Sequence, residues 1–335
     1  MPFLDTDGYS AALRAASVRL DSRELLVAQL RGSDQEVDVT DPLNCQGMGR
    51  VHHFRLQTPD PWPANPLPIL PAARMLGIPV PEVMQTQVFQ LASCNWRCWY
   101  CFVPYRLLRG NPRNARWMTA EQLVALYLEE PIRPRVVVCS GGQPDLVPEW
   151  VAWMMDALAA AGLAESVYLW SDDNLSNDYF WTQLDTAQVH RIQTYPGYGR
   201  VACFKGFDEE SFAFNTRADP GLFSRQFDLF SRLLDLGIDL YAYATFTAPH
   251  PNGMARSMAV FVDRLQELRP LLPLRLVPLR VDHYGVMQHR MQPVHHDALQ
   301  VQEEAIRAWN HEISTRFTAG QRATPITDIN LRRRG

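Results

Sequence analysis

Ser93-Cys94-Asn95-Trp96-Arg97-Cys98-Trp99-Tyr100-Cys101-Phe102 sets three cysteines within eight residues, in a C-x3-C-x2-C spacing. It follows directly on Val83–Ala92, an apolar run that reads as a β-strand. The chain has six cysteines in 335 residues: Cys45, Cys94, Cys98, Cys101, Cys139 and Cys203. The opening MPFLDTDGYS lacks the basic-then-apolar pattern of a signal peptide, so reduced thiols are expected, and a tight cluster reads as metal ligation or catalysis. Three thiolates on one short loop suit an iron–sulfur cubane, which normally has four cysteine ligands; with three, one iron stays open to another ligand. Zinc is the rival, and a structural zinc needs a fourth ligand from Cys45 or a histidine.

Outward from this loop, the texture of the chain changes at about Glu82. Ahead of it, a helix-like stretch runs from Tyr9 to Leu30, and eight prolines crowd the 23 residues Pro59–Pro81, which reads as an extended wrap. Behind it, strands are expected at 135–139, 166–170, 200–205, 238–245 and 274–279. Helices are expected at 119–129 (Thr119 as N-cap, Gln122 three residues on), 148–161, 178–184, 221–236 and 254–268. Counting the Val83 strand, that makes six β/α alternations, which implies a parallel sheet with helices packed outside. A closing helix over 296–313 and a frayed basic end at 331–335 follow. The expected organisation is an N-terminal extension over 1–82, a β/α core over 83–285 and a C-terminal extension over 286–335.

A second motif, Ser140-Gly141-Gly142-Gln143-Pro144, falls on the loop after the second core strand. C-x3-C-x2-C with Tyr100 before the last cysteine, followed by this loop, resembles the radical S-adenosylmethionine (radical SAM) superfamily over roughly residues 83–285. The resemblance implies an α/β fold, a partial (β/α)6 barrel with an N-terminal proline-rich wrap and a C-terminal helical extension. It implies a [4Fe–4S] cluster on Cys94, Cys98 and Cys101, with S-adenosylmethionine (SAM) on the open iron. The Gly141–Pro144 loop is similar to the family's GGEP loop, which holds the SAM amino group; Gln143 stands for the glutamate, accepts through its carbonyl oxygen and lacks the charge. Tyr100 would support the adenine.

Later segments resemble the glycyl-radical-enzyme activases, such as pyruvate formate-lyase activating enzyme. Cys203-Phe204-Lys205-Gly206-Phe207-Asp208 is similar to their D-x-K-G segment, with Cys203 replacing the aspartate and Lys205 retained for the cofactor carboxylate. Lys205 is the only lysine among 32 basic residues. Ser171, Asp172 and Asn174 end the third core strand, where activases contact the amino group and ribose. Arg280 stands in the place of a histidine and is suited to a carboxylate or ribose hydroxyls. The catalytic expectation rests on Lys205 and Arg280.

Composition sets the outer limits. A net charge of −4 excludes bulk-charge attachment to nucleic acid or acidic membrane, and no run of 18 apolar residues exists. A cytoplasmic location is expected. The leading function is reductive cleavage of SAM to a 5′-deoxyadenosyl radical that abstracts hydrogen from a small-molecule or peptide substrate. A one-electron donor of the flavodoxin or ferredoxin type would be its partner. The alternatives are an activase placing a glycyl radical on a partner enzyme, and a zinc-stabilised binding module. Adjacent histidines (His52-His53, His295-His296) read as surface or polar-core residues.

Overall fold

The computed structural model describes residues 3–38 and 40–331. Beyond Leu331, the expected basic end lies outside the described residues. Helix α1 (Thr6–Ser17) opens the chain with Asp5 as N-cap, its carboxylate accepting from the Gly8 N–H at 3.0 Å. The helix expected over Tyr9–Leu30 stops here. The chain turns instead into strands β1 (Val18–Arg19) and β2 (Glu24–Ala28), and β2 pairs antiparallel with the distant β6 (Ala115–Thr119). Leu25 to Ala28 are all buried, so this segment follows a strand's two-sided burial rather than a helical stripe.

The main sheet has eight strands. Six are parallel: β5 (Val83–Gln90), β7 (Val136–Ser140), β8 (Tyr168–Asp173), β9 (Tyr198–Phe204), β10 (Leu240–Thr245) and β11 (Leu276–Leu279). They lie in sequence order, without the reversal that marks a doubly wound sheet, as a partial β/α barrel requires. Two further strands were not expected: β3 (Leu43–Asn44) and β4 (Gly49–Arg55) add antiparallel beside β5, extending the sheet into the front section.

Helices cover one face. Phe89, Val137, Cys139 and Leu169 pack under α3 (Ala120–Glu129), α4 (Glu149–Ala160) and α6 (Thr186–Thr194), with short α5 (Tyr179–Thr182) beside them. Ala202, Phe204, Ala242 and Ala244 pack under α7 (Glu209–Thr216), α8 (Phe223–Leu234), α9 (Met254–Leu268) and α10 (Pro293–Arg316), after which comes α11 (Ala319–Arg322). Helix α3 begins as its sequence reads: the Gln122 N–H donates to Thr119 Oγ1 at 3.2 Å, and the Thr119 N–H donates back to Gln122 Oε1 at 3.0 Å. Helices α6 and α7 are additions to the expected set.

The opposite, inner face carries Val88, Val138, Trp170, Val201, Tyr241 and Val277, and the proline-rich segment fills it. That segment is not extended throughout. It contains α2 (Ile69–Leu76), with Pro71 in the first turn, where its missing N–H costs nothing. Ile69, Ala72 and Ala73 pack onto the inner-face residues together with Ile326 from the C-terminal section.

Candidate active site

Strand parity decides which side chains meet at the C-terminal ends of the parallel strands. On β7 to β10 the inner positions nearest those ends are Ser140, Asp172, Cys203 with Lys205 just past its strand, and Thr245. The cysteine loop hangs beside them from the end of β5. Its three middle residues turn away to α1. Asn95 Nδ2 donates to Ser10 Oγ at 2.8 Å, Trp96 Nε1 donates to Thr6 Oγ1 at 3.2 Å, and the Arg97 guanidinium donates to the Tyr9 hydroxyl. Arg97 also donates to the Cys94 carbonyl at 2.6 Å, and the Tyr105 hydroxyl donates to the Arg97 and Cys98 carbonyls at 2.9 Å each. With the spacer residues buried against α1, the three thiols remain partly exposed.

Cys94, Cys98 and Cys101 are free and partly exposed. Burial pushes the Cys98 thiol up to about 12 and raises Cys94, and the nearby Lys205 ammonium opposes both shifts. Thiols so placed are poor nucleophiles, and binding a metal is what deprotonates them. Among the described residues, no three His, Cys, Asp or Glu side chains stand close enough to hold a single metal ion. Cys45, the fourth ligand that zinc would need, lies in the core beneath α3, its N–H bonded to Glu130. The donor set fits an iron–sulfur cluster better than zinc.

The Gly141–Pro144 loop presses against the start of the cysteine loop. Gly141 has φ +87°, and a Cβ on Gly142 would stand 2.1 Å from the Ser93 carbonyl oxygen and 2.5 Å from that of Leu91. The Gln143 N–H donates to the same Ser93 oxygen at 2.8 Å. Pro144 is buried and opens a short turn. The Gln143 side chain is turned into the protein. It is 1% exposed, its amide oxygen accepting from the Asn174 N–H at 2.9 Å and its amide nitrogen donating to Asp173 Oδ1 at 2.8 Å.

Asp172 is inner-facing. It accepts from the Ser140 hydroxyl, and burial raises its carboxyl against the pull of Ser140 and Lys205. Lys205 lies among Cys203, Tyr100 and Cys98. The Tyr100 hydroxyl meets Thr245 Oγ1 at 3.0 Å. Asn174 Nδ2 lies 3.9 Å from Cys94 Sγ and donates to Asn95 Oδ1 at 3.1 Å, while its own carbonyl oxygen is buried without a partner.

Two expected site residues stand apart from this group. Ser171 has the opposite parity, and its hydroxyl meets the Tyr198 hydroxyl at 2.7 Å on the helix-covered face. Arg280 pairs with Asp282 at 2.9 Å and Glu303 at 3.6 Å. Residues 281–299 close over the cysteine loop: Trp99 packs with Val281, Met287 and Ala298, and its ring stacks on His295 at 4.7 Å. His52 Nδ1 lies 2.5 Å from Asp41, a buried carboxylate that Arg50 also holds. Sequence reasoning missed Asp173, Arg200 and the α1 anchors Thr6, Tyr9 and Ser10. Nothing in their local pattern marks them, because each is defined by a partner far away in the chain.

Residues 91–186 match the family model of the Radical SAM superfamily. No curated protein matches the chain. Among solved structures, Streptococcus suis SuiB is similar at low levels. SuiB bound to SAM gives a TM-score of 0.43 at 16% identity over 67% of this chain and 46% of that one. SuiB alone gives 0.43 at 14% identity over 69% and 47%. SuiB bound to its precursor peptide SuiA gives 0.37 at 16% identity over 54% and 36%. The chain thus spans less than half the length of SuiB. Among the described residues, no helix is long and apolar enough to cross a membrane. The matched stretch, residues 91–186, holds both motif loops at the C-terminal ends of parallel strands and is a radical SAM superfamily domain, a kind of domain whose cofactors are a [4Fe–4S] cluster and SAM.

Proposed function

We propose that this radical SAM enzyme holds its cluster on Cys94, Cys98 and Cys101 and seats SAM between the Gly141–Pro144 loop, Asp172, Asn174, Tyr100 and Lys205. One observation carries the reading: Gly142 is pressed to the carbonyls of Leu91 and Ser93 as no other residue could be, so the two motif loops form one surface. When bound and reduced, the cofactors supply a 5′-deoxyadenosyl radical that takes hydrogen from a small-molecule or peptide substrate. The chain's own part is to bind and exclude. The Lys205 ammonium suits the SAM carboxylate, the inner-facing Asp172 suits its ammonium, and Asn174 offers a buried, unpartnered carbonyl oxygen beside Cys94. Trp99 and residues 281–299 shield the loop from water, which would quench a radical. The core is taken as 83–285, with 1–82 and 286–335 as extensions that anchor and cover it, and a one-electron donor as the partner.

The activase reading has no separate support, since Arg280 is engaged by Asp282 and Glu303. The test is anaerobic reconstitution with iron and sulfide, followed by SAM and dithionite. A brown protein that binds iron and sulfide and forms 5′-deoxyadenosine is the expected result. Replacing Cys94, Cys98 or Cys101 by Ala should abolish both properties, while Cys45→Ala should leave iron intact. A Cys98→Ala protein with full iron and full SAM cleavage would refute the assignment.

A further inference from the structure

Gln143 stands where the resemblance expects a SAM-binding acid, yet both ends of its amide already have partners. The amide nitrogen donates to Asp173 Oδ1, and the amide oxygen accepts from the Asn174 N–H. These partners also fix its orientation, because a flipped amide would set N–H against N–H and oxygen against carboxylate. Asp173 is itself held on three sides: Oδ1 also accepts from the Leu175 N–H at 2.8 Å, and Oδ2 accepts from Arg200 Nη2 at 2.8 Å. Arg200 is 1% exposed and shares the same nitrogen with Asp145. The hydrogen-bonded line therefore runs from Arg200 through Asp173 and Gln143 to the Asn174 backbone, and the Asn174 side chain ends beside Cys94.

We propose that Asp173, anchored by Arg200, is a positioning residue that fixes the Gly141–Pro144 loop and Asn174 through Gln143, and that Gln143 is a strut rather than a SAM ligand. The inference rests on the reading above that this loop and Asn174 meet SAM. Its physical core is a polarity rule. A carboxylate on Asp173 requires a donor at position 143, so a glutamate there would set two buried carboxylates at hydrogen-bond distance, with Arg200 already divided between two aspartates.

The test is a swap: Gln143→Glu, Asp173→Asn and the double variant. Readouts are SAM affinity by calorimetry on reconstituted protein and the thermal midpoint of cluster-free protein. Gln143→Glu should weaken SAM binding at least tenfold and lower the midpoint. In the double variant the new amide at position 173 donates to the new carboxylate at position 143 but loses the bond that Oδ1 accepted from the Leu175 N–H, so SAM affinity should recover at least threefold over Gln143→Glu while staying below wild type. A ligand role predicts the opposite sign, since the new charge would tighten SAM binding, and that result would overturn the proposal. A merely structural role predicts a lowered midpoint with unchanged SAM affinity, which would also overturn it. If Gln143→Glu does not fold, the double variant alone decides: folded with measurable SAM binding supports the strut, and folded without SAM binding refutes it. Failure of the radical SAM reading shows separately, as wild-type protein that forms no cluster or binds no SAM; the midpoints of the cluster-free variants still report on the strut.

Discussion

Asn95, the residue after Cys94 in the loop that runs to Cys98, donates from Nδ2 to the Ser10 hydroxyl of α1 at 2.8 Å, across 85 residues of sequence. The same nitrogen donates to Ser176 Oγ at 2.7 Å, and Asn95 is fully buried. The cysteine loop is therefore shaped by the front of the chain as much as by the strand it follows.

Ser10→Ala strands one buried amide proton, at a cost of roughly 1–3 kcal/mol. Denaturant unfolding of cluster-free protein should show that loss, and reconstituted protein should release iron to a chelator faster than wild type. Ser10→Thr, which keeps the hydroxyl, should recover most of both.

Gly142 meets the carbonyls of Ser93 and Leu91 closely enough that any Cβ displaces one motif loop from the other. Gly142→Ala should cost about 1–3 kcal/mol or more and abolish SAM binding. Gly320→Ala is the control, because a Cβ there meets nothing within 4 Å. Calorimetry with SAM separates the two; equal affinities would refute the packed-loop account.

Lys205 lies among Cys98, Tyr100 and Cys203 rather than at an exposed strand end. Lys205→Met keeps the stem and removes the charge, so folding and iron content should persist while SAM affinity and 5′-deoxyadenosine yield fall. Lys205→Arg should restore them only in part, because the guanidinium fork is wider. Wild-type values for the methionine variant would remove Lys205 from the site.

Cys45 provides a pH test remote from the cleft. Burial, then the Glu130 and Glu129 carboxylates, push its thiol from 9.0 up to about 12. The folded state thus holds this proton more tightly than the unfolded chain. The resulting stability is fully present below pH 9 and is lost as pH rises towards 12. Cluster-free protein should lose stability across that window, and Cys45→Ala should flatten the decline. Iodoacetamide should leave Cys45 of folded protein unlabelled at pH 8.

What the sequence could disclose follows from the range of the interactions involved. Helix α3 was legible because Thr119 and Gln122 cap it within one turn. The order of six parallel strands was legible from alternating periods, and both motifs sit at strand ends as their spacing implies. The Tyr9–Leu30 stretch misled because Leu25 to Ala28 are apolar enough for either state, and their pairing with Ala115–Thr119 settles the outcome. Ser171 misled by a single step of strand parity, which turns its hydroxyl to Tyr198. The bonds made by Gln143 were not legible because its partner, Asp173, is 30 residues away and anchored by an arginine on a third strand.

The packing of the proline-rich segment bears on what shapes the main sheet. The Tyr243 hydroxyl donates to Asn65 Oδ1 and the Leu67 carbonyl, each at 3.1 Å, and Leu67 and Ile69 seal the inner face below Trp170 and Tyr241. The inner face is thereby filled by residues from outside the β/α core, so the sheet that carries both motif loops owes part of its shape to a segment that holds none of their residues.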